Sequence, residues 1–564
     1  MNTLYRKLPI ILVLISSSFY YLAGYFFFPD TFQQIFLPNN HIWDETIFYI
    51  YPNHSVIPLN SYSFFPEIFK AFLFLFIPVE YFPIFLNLIV TGLLLIVLSL
   101  IGRGIFHFDR VYNIVFITMF STTLGWGITT YSSWLEIISI STVSDPLVYR
   151  QDSPGLVIAL FLFGLYLIYY GMEKKRVIVQ TLGLALSMFS YPFYTVFIVI
   201  CLGALFLVNF RFFKLKRLKF LFLFFILFTL FWFYMSPEVI NDNYKFINGL
   251  TYTADLNYKI LLMNSLFVLF GIYFYQISKA PRERLIICFL LLGIFSGVVA
   301  HHLNIILGYE IQSYHWDMYL LRPLQWTLVL YVLYMRIFRY RHKEKVFLFT
   351  WVFSVLFSIT VYVSAKNMYI KNYKPLERQL SLIKSYQALS LYISNGEHYT
   401  TLDPLLILMS RHLLPNAILD MPFSGHQKKV DSKKILESFI RSIHAHNLKI
   451  NKVNEIFNSS FESYLNRDKV FNYILFGMDF NDGIYHSLSE YDREINVKNI
   501  DTYMNNQYLS GDQSLYKNSI VINKWQFNKE QIQNILQDRF IEYEDDNMAV
   551  ISLYNESFNG FLYE

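Results

Sequence analysis

Unbroken apolar runs, rather than alternating or one-sided patterns, dominate the first two-thirds of the chain. They begin near Leu8, Tyr81, Val111, Pro154, Val177, Tyr194, Phe220, Ile260, Leu285, Pro323 and Val346. Each suits a helix crossing the roughly 30 Å hydrocarbon layer of a bilayer. The stretch 177–210 holds two short helices, broken near Tyr191-Pro192. These runs predict about eleven transmembrane helices. The first, 8–28, is read as retained: it exceeds the apolar region of a secretory signal and ends in "YFFFPD" without a small-x-small cleavage site. A further apolar stretch, 68–78 ("IFKAFLFLFIP"), is too short to span and carries Lys70. It predicts a helix lying in the outer interface.

After Ser364 the pattern changes. Strand-like runs ("YILFGMDF", "SIVINKW", "MAVISLY") alternate with helix-like ones ("SKKILESFIRSIHAH", "NKEQIQNILQDRF") whose apolar residues recur at one-sided helical spacing. The length suits one α/β domain. It contains no Gly-rich phosphate loop, zinc spacing or nucleophile elbow, so a structural or recognition role is expected of it. The fold class is therefore a polytopic α-helical membrane protein, residues 1–364, with a C-terminal extracytoplasmic α/β domain, residues 365–564.

Composition agrees with the pattern. Hydrophobic residues make up 55% of the chain and charged ones 15%, against about 25% charged in soluble domains. The 44 Tyr and 57 Phe suit helices that meet both hydrocarbon and headgroups. A dispersed net charge of +5 excludes nucleic acid as a partner. The two cysteines, Cys201 and Cys288, lie inside apolar runs and build neither a disulfide framework nor a thiolate metal site.

Charge also orients the threading, because short cytoplasmic loops collect Lys and Arg. With the N-terminus inside, the inner segments around Arg6, Arg103, Lys174, Arg211, Lys279 and Arg336 hold twenty basic residues. The outer loops up to Ser364 hold five: Lys70, Arg150, Lys245, Lys259 and Arg322. The C-terminal domain then lies outside.

Candidate chemistry collects on that outer face, in loops 29–80, 129–153 and 301–322. The first contains "HIWDETIFYI", where Asp44 and Glu45 stand between aromatic and aliphatic residues. Partial burial there would raise a carboxylate pKa and improve it as a base. The second, "EIISISTVSDPLVYRQDSPG", contains Asp145, Arg150 and Asp152. Arg150 offers a planar fork of donors suited to phosphate, although a salt bridge with Asp145 or Asp152 accounts for it equally. The third, "HHLNIILGYEIQSYHWDMYLLRP", contains His301, His302, Glu310, Gln312, His315 and Arg322. Ionisable groups at the ends of spans are functional candidates by default.

This layout resembles the GT-C glycosyltransferases, multi-span enzymes that take sugars from polyprenyl-phosphate carriers. The likeness rests on an acidic residue in a long outer loop after the first span, an acidic and basic second outer loop, and a C-terminal domain on the same face. It implies a membrane glycosyltransferase in the cytoplasmic (inner) membrane. Such an enzyme would move a sugar from a polyprenyl-phosphate carrier to an extracytoplasmic glycan, lipid or protein. Asp44 or Glu45 would occupy the catalytic acidic position, and Asp145 or Asp152 the acidic position of the second loop. Arg150, Arg322, His301 and His302 are assigned to the carrier phosphate by chemistry alone, with Glu310, Gln312 and His315 supporting. No metal ligand is assigned, and a divalent cation is the one cofactor candidate. The chain has no clear Asp-x-Asp. Three alternatives stand beside this: an O-antigen polymerase or ligase, a lipid-linked glycan transporter or flippase, and a non-catalytic binding protein.

Overall fold

The computed structural model describes residues 7–16, 64–77, 82–123, 155–208, 223–231, 256–307, 316, 320–338 and most of 347–359. Further on it describes most of 381–403 and 518–552, with isolated residues between. The described residues form two compact units, one within 7–359 and one within 381–552.

The first unit is helical. Its helices are α1 (Lys7–Ser16), α2 (Phe64–Phe74), α3 (Phe82–Gly104), α4 (Arg110–Thr123) and α5 (Val157–Glu173). They continue with α6 (Val177–Ser190), α7 (Pro192–Val208), α8 (Tyr258–Ile277), α9 (Pro281–His301) and α10 (Arg322–Leu333). Among the described residues, two helical stretches are long and apolar enough to cross a membrane, Ile260–Ile277 and Pro281–Ile306. Other apolar runs are described as shorter helices, such as Val157–Glu173 and Val177–Ser190.

Local chemistry sets the boundaries. Asp109 accepts from the Val111 and Tyr112 amides at 2.9 and 3.0 Å, satisfying first-turn donors of α4. Asn257 does the same for Ile260 at 3.2 Å at the start of α8. Pro281 opens α9, where a missing N–H costs nothing. Tyr191 separates α6 from α7 in an extended conformation (φ −162°, ψ 142°). Pro192 requires this, since it disfavours helical backbone in the residue before it and has no N–H to continue the helix. The break thus lies where the sequence reading put it.

Packing between α5 and α6 is unusually close. The turn joining them places Lys175 at φ 56°. A Cβ on Gly164 would lie 2.5 Å from the Gly183 carbonyl oxygen, and one on Gly183 would lie 2.6 Å from that of Gly164. Gln180 donates to the Gly171 carbonyl at 2.9 Å and Ser187 to that of Phe161 at 3.3 Å. Small residues with side-chain-to-backbone bonds are how helices associate where lipid removes the hydrophobic drive.

The turns after α3, α5 and α8 and the end of α10 gather at one end of the unit. There Phe108 meets Tyr334 at 4.7 Å between centroids, and Tyr112 donates to the Leu330 carbonyl at 2.6 Å. Arg282 donates to the Tyr169 hydroxyl at 3.3 Å and Arg336 to Ser278 at 3.2 Å. Tyr334–Phe338 is a π-helical turn. Arg103, Lys174, Lys175, Arg176, Lys279, Arg282, Arg284 and Arg336 belong to these segments.

The second unit holds a five-stranded sheet: β1 (His398–Thr401), β2 (Ile418–Leu419), β3 (Asn518–Asn523), β4 (Phe540–Glu544) and β5 (Met548–Ser552). Its order is β2-β1-β3-β5-β4. β1 runs parallel to β2 and β3, while β5 is antiparallel to β3 and β4. α11 (Lys529–Leu536) joins β3 towards β4. Ile520–Ile522 and Met548–Ile551 are wholly buried, as expected of central strands covered on both faces.

Candidate functional site

The end of the first unit opposite the basic turns collects most of the described candidate residues. Phe161, near the start of α5, stacks on Tyr194 of α7 at 3.9 Å and 10°. Phe193 meets Trp316 edge-on at 4.6 Å, and Trp316 is 2% exposed. Phe65 of α2 reaches Phe189, just before the α6–α7 break, at 6.3 Å. An aromatic floor therefore ties α2, α5, α6, α7 and the segment before α10 together.

α9 arrives at this end and α10 leaves it. A Cβ on Gly293 would meet Leu324 at 3.1 Å and one on Gly297 would meet Leu321 at 2.7 Å. The two helices are therefore antiparallel and closely packed, each glycine of α9 seating a leucine side chain of α10. That register brings the last turn of α9 beside the first turn of α10. His301 closes α9 and is 7% exposed. Its ring lies 5.0 Å from that of His302. His302 is half-buried, and its Nδ1 lies 2.9 Å from the Val298 carbonyl. A carbonyl only accepts, so Nδ1 carries a proton. Its buried Nε2 has no hydrogen-bond partner among the described residues.

Arg322 is the first residue of α10 and half-buried. The helix runs back through a π-helical turn at 320–321, Leu321 itself being helical (φ −64°, ψ −51°), and Arg322 interacts with other groups of the protein. One turn further in, Gln325 donates to Asn264 of α8 at 2.8 Å, and Asn264 donates to the Ile260 carbonyl at 2.7 Å. Both amides are 1% exposed. They pin α8 to α10 directly beneath Arg322. Their legible signal was an amide inside an apolar run.

Of the residues singled out from sequence, His301, His302 and Arg322 are thus brought to one end. Asp44, Glu45, Asp145, Arg150, Asp152, Glu310, Gln312 and His315 lie outside the described residues. Lys70, in the helix expected to lie in the outer interface, is 0% exposed. Among the described residues, no group of three His, Cys, Asp or Glu is placed to hold a metal ion.

In the second unit, Tyr386 is completely buried and its hydroxyl donates to Asp403. Burial first, and then the Asp403 charge, push that phenol well above the ordinary tyrosine range. His446 is also fully buried, its Nδ1 2.6 Å from the Ser442 carbonyl. Asn547 donates to the Ser381 and Ser385 hydroxyls, both at 2.9 Å, and accepts from Trp525 at 3.0 Å. These contacts tie the described part of the unit together, although the buried Nε2 of His446 has no hydrogen-bond partner among the described residues. Compared with known proteins, the chain matches no family model and no curated protein.

Proposed function

We propose that this chain is a multi-span membrane glycosyltransferase of the GT-C kind, with about eleven transmembrane helices. Its N-terminus is cytoplasmic and its second unit extracytoplasmic. It moves a sugar from a polyprenyl-phosphate carrier to a glycan, lipid or protein acceptor. The observation that carries this reading is the meeting of α9 and α10: His301 and His302 end one helix where Arg322 starts its antiparallel neighbour. The gathering of basic turns at the opposite end supports the same threading, because cytoplasmic loops collect positive charge.

In the reaction, the acceptor hydroxyl attacks the anomeric carbon of the carrier-bound sugar. The bond from that carbon to the phosphate oxygen breaks, and polyprenyl phosphate leaves with the electron pair. Asp44, or its neighbour Glu45, takes the hydroxyl proton. Arg322, Arg150 and His301 stabilise the charge growing on the departing phosphate, with His302 beside His301. Preorganised donors of this sort each contribute roughly 10²–10³-fold in rate.

The test uses purified protein in detergent with a panel of radiolabelled polyprenyl-phosphate sugars and candidate acceptors. Wild type should release label from the carrier. Asp44→Ala should abolish release, and Arg322→Ala should slow it by roughly 10²-fold or more. Near-normal turnover in Asp44→Ala would sink the base assignment.

A second reading, a transporter of lipid-linked glycan, draws on the break at Tyr191 and the buried Asn264–Gln325 pair, since discontinuous helices and internal polar groups mark transport sites. Carrier that is bound but never consumed, with every acceptor present, would favour it.

A further inference from the structure

Two arginines meet on one serine at the end of the first unit where the basic turns gather. Ser278, in the turn between α8 and α9, is 3% exposed. Its carbonyl accepts from Nε of Arg284 at 2.6 Å, and its hydroxyl from an Nη of Arg336 at 3.2 Å. Arg284 lies over the Tyr275 ring at 5.9 Å and Arg336 over the Phe274 ring at 5.8 Å, so an aromatic face steadies each guanidinium. Arg336 belongs to the π-helical turn that follows α10. A single arginine at such a place caps the carbonyls that end a helix. Here a second cation is brought to the same residue, and neither forms an ion pair among the described residues. Lys279, exposed, adds another positive charge one residue on. Like charges gathered this closely repel, and an anion between them removes that cost.

We propose that Arg284 and Arg336 together bind the phosphate of an anionic phospholipid. Each guanidinium spends one hydrogen bond on Ser278 and keeps the rest of its fork for another acceptor. Both residues are exposed, so a phosphate reaches them from outside the unit. Their planar forks match phosphate oxygens in pairs. Ser278 lies between the two stretches that are long and apolar enough to cross a membrane, Ile260–Ile277 and Pro281–Ile306. A turn between two spans sits at headgroup depth, where the anion at hand is a lipid phosphate. A phosphate shared by the pair ties the start of α9 to the end of α10. The inference rests on the membrane reading of the first unit and not on sugar transfer.

Binding is measured by native mass spectrometry on the full chain in detergent, with phosphatidylglycerol, phosphatidylethanolamine and glycerol 3-phosphate as separate probes. Phosphatidylglycerol should bind best. Arg284→Gln and Arg336→Gln should each weaken it by about tenfold. Lys174→Gln and Lys175→Gln, which alter exposed lysines at the same end, should change it by about twofold or less. A loss spread evenly over all four variants would show a diffuse basic surface and overturn the site. Glycerol 3-phosphate binding as tightly as the lipid, or phosphatidylethanolamine matching phosphatidylglycerol, would overturn it too.

If the glutamine variants do not fold, the wild type decides. Phosphatidylglycerol carrying a photoactivatable headgroup should crosslink within residues 274–284 or 334–338, and the absence of crosslinks from both overturns the site. Lipid binding that depends on the two arginines, without sugar transfer, would remove the glycosyltransferase reading alone. Sugar transfer with lipid binding indifferent to both arginines would remove this inference alone.

Discussion

At the scale of single residues, His446 makes the second unit sensitive to acid. Burial, with Arg539 nearby, lowers its pKa to about 4, whereas an unfolded histidine titrates near 6.5. As pH falls below about 6.5 the unfolded chain takes up a proton that the folded ring refuses. Stability is therefore full above that value and is lost between about 6.5 and 4, by on the order of 3 kcal/mol. Asp545 acts in a lower window. Desolvation pushes its pKa up, but hydrogen bonds from Ser385, Met548, Asn547 and Tyr543 outweigh that and hold it below the usual carboxylate range. Hydrogen exchange on the full chain should show β5 amides opening faster at pH 5 than at pH 7. His446→Gln should remove most of that difference, and an equal pH effect in the variant would assign it elsewhere.

At the scale of elements, the α5–α6 hairpin depends on backbone contact. Gly164→Ala should cost roughly 1–3 kcal/mol, because its Cβ would strike a carbonyl oxygen that cannot rotate away. Gly203, inside α7, has nothing within 4 Å of an added Cβ. Gly203→Ala should be neutral or gain about 0.5–1 kcal/mol from helix propensity. Melting temperatures in detergent check the contrast, and a harmless Gly164→Ala would mean that the helices pack less closely.

Elements were also the most legible level of the sequence. The runs beginning near Tyr81, Pro154, Ile260 and Leu285 became α3, α5, α8 and α9, because an apolar run of that length without turn residues reads as helix and not strand. "SIVINKW" and "MAVISLY" became β3 and β5. β1 (His398–Thr401, "HYTT") and the two-residue β2 escaped notice because they are short and carry no alternation of their own. β4 began at Phe540, the last residue of a stretch read as helical. The site was legible only as a list of polar residues near span ends. Sequence spacing could not say that Gly297 seats Leu321, the contact that sets His301 near Arg322, nor that Lys70 turns inward.

At the scale of the whole molecule, threading can be tested without any substrate. After Cys201 and Cys288 are replaced by Ser, single cysteines at Lys175 and Lys529, both exposed, should behave oppositely. In intact cells a membrane-impermeant maleimide should label Lys529→Cys. It should label Lys175→Cys only after permeabilisation. The reverse pattern would invert the orientation, and labelling of both in intact cells would break the proposed threading.

The sheet order carries a consequence for how the protein is made. β1 ends at Thr401, yet the strand beside it, β3, begins at Asn518, and the central β5 ends at Ser552. A growing chain therefore displays β1 with an unclaimed edge while more than a hundred further residues are synthesised, a delay of roughly 6–24 s at cellular translation rates. During that interval the edge is a template for any other extended segment. Nascent chains arrested before residue 518 should then be the protease-sensitive, aggregation-prone form. Quality control would meet this protein chiefly as an unfinished sheet.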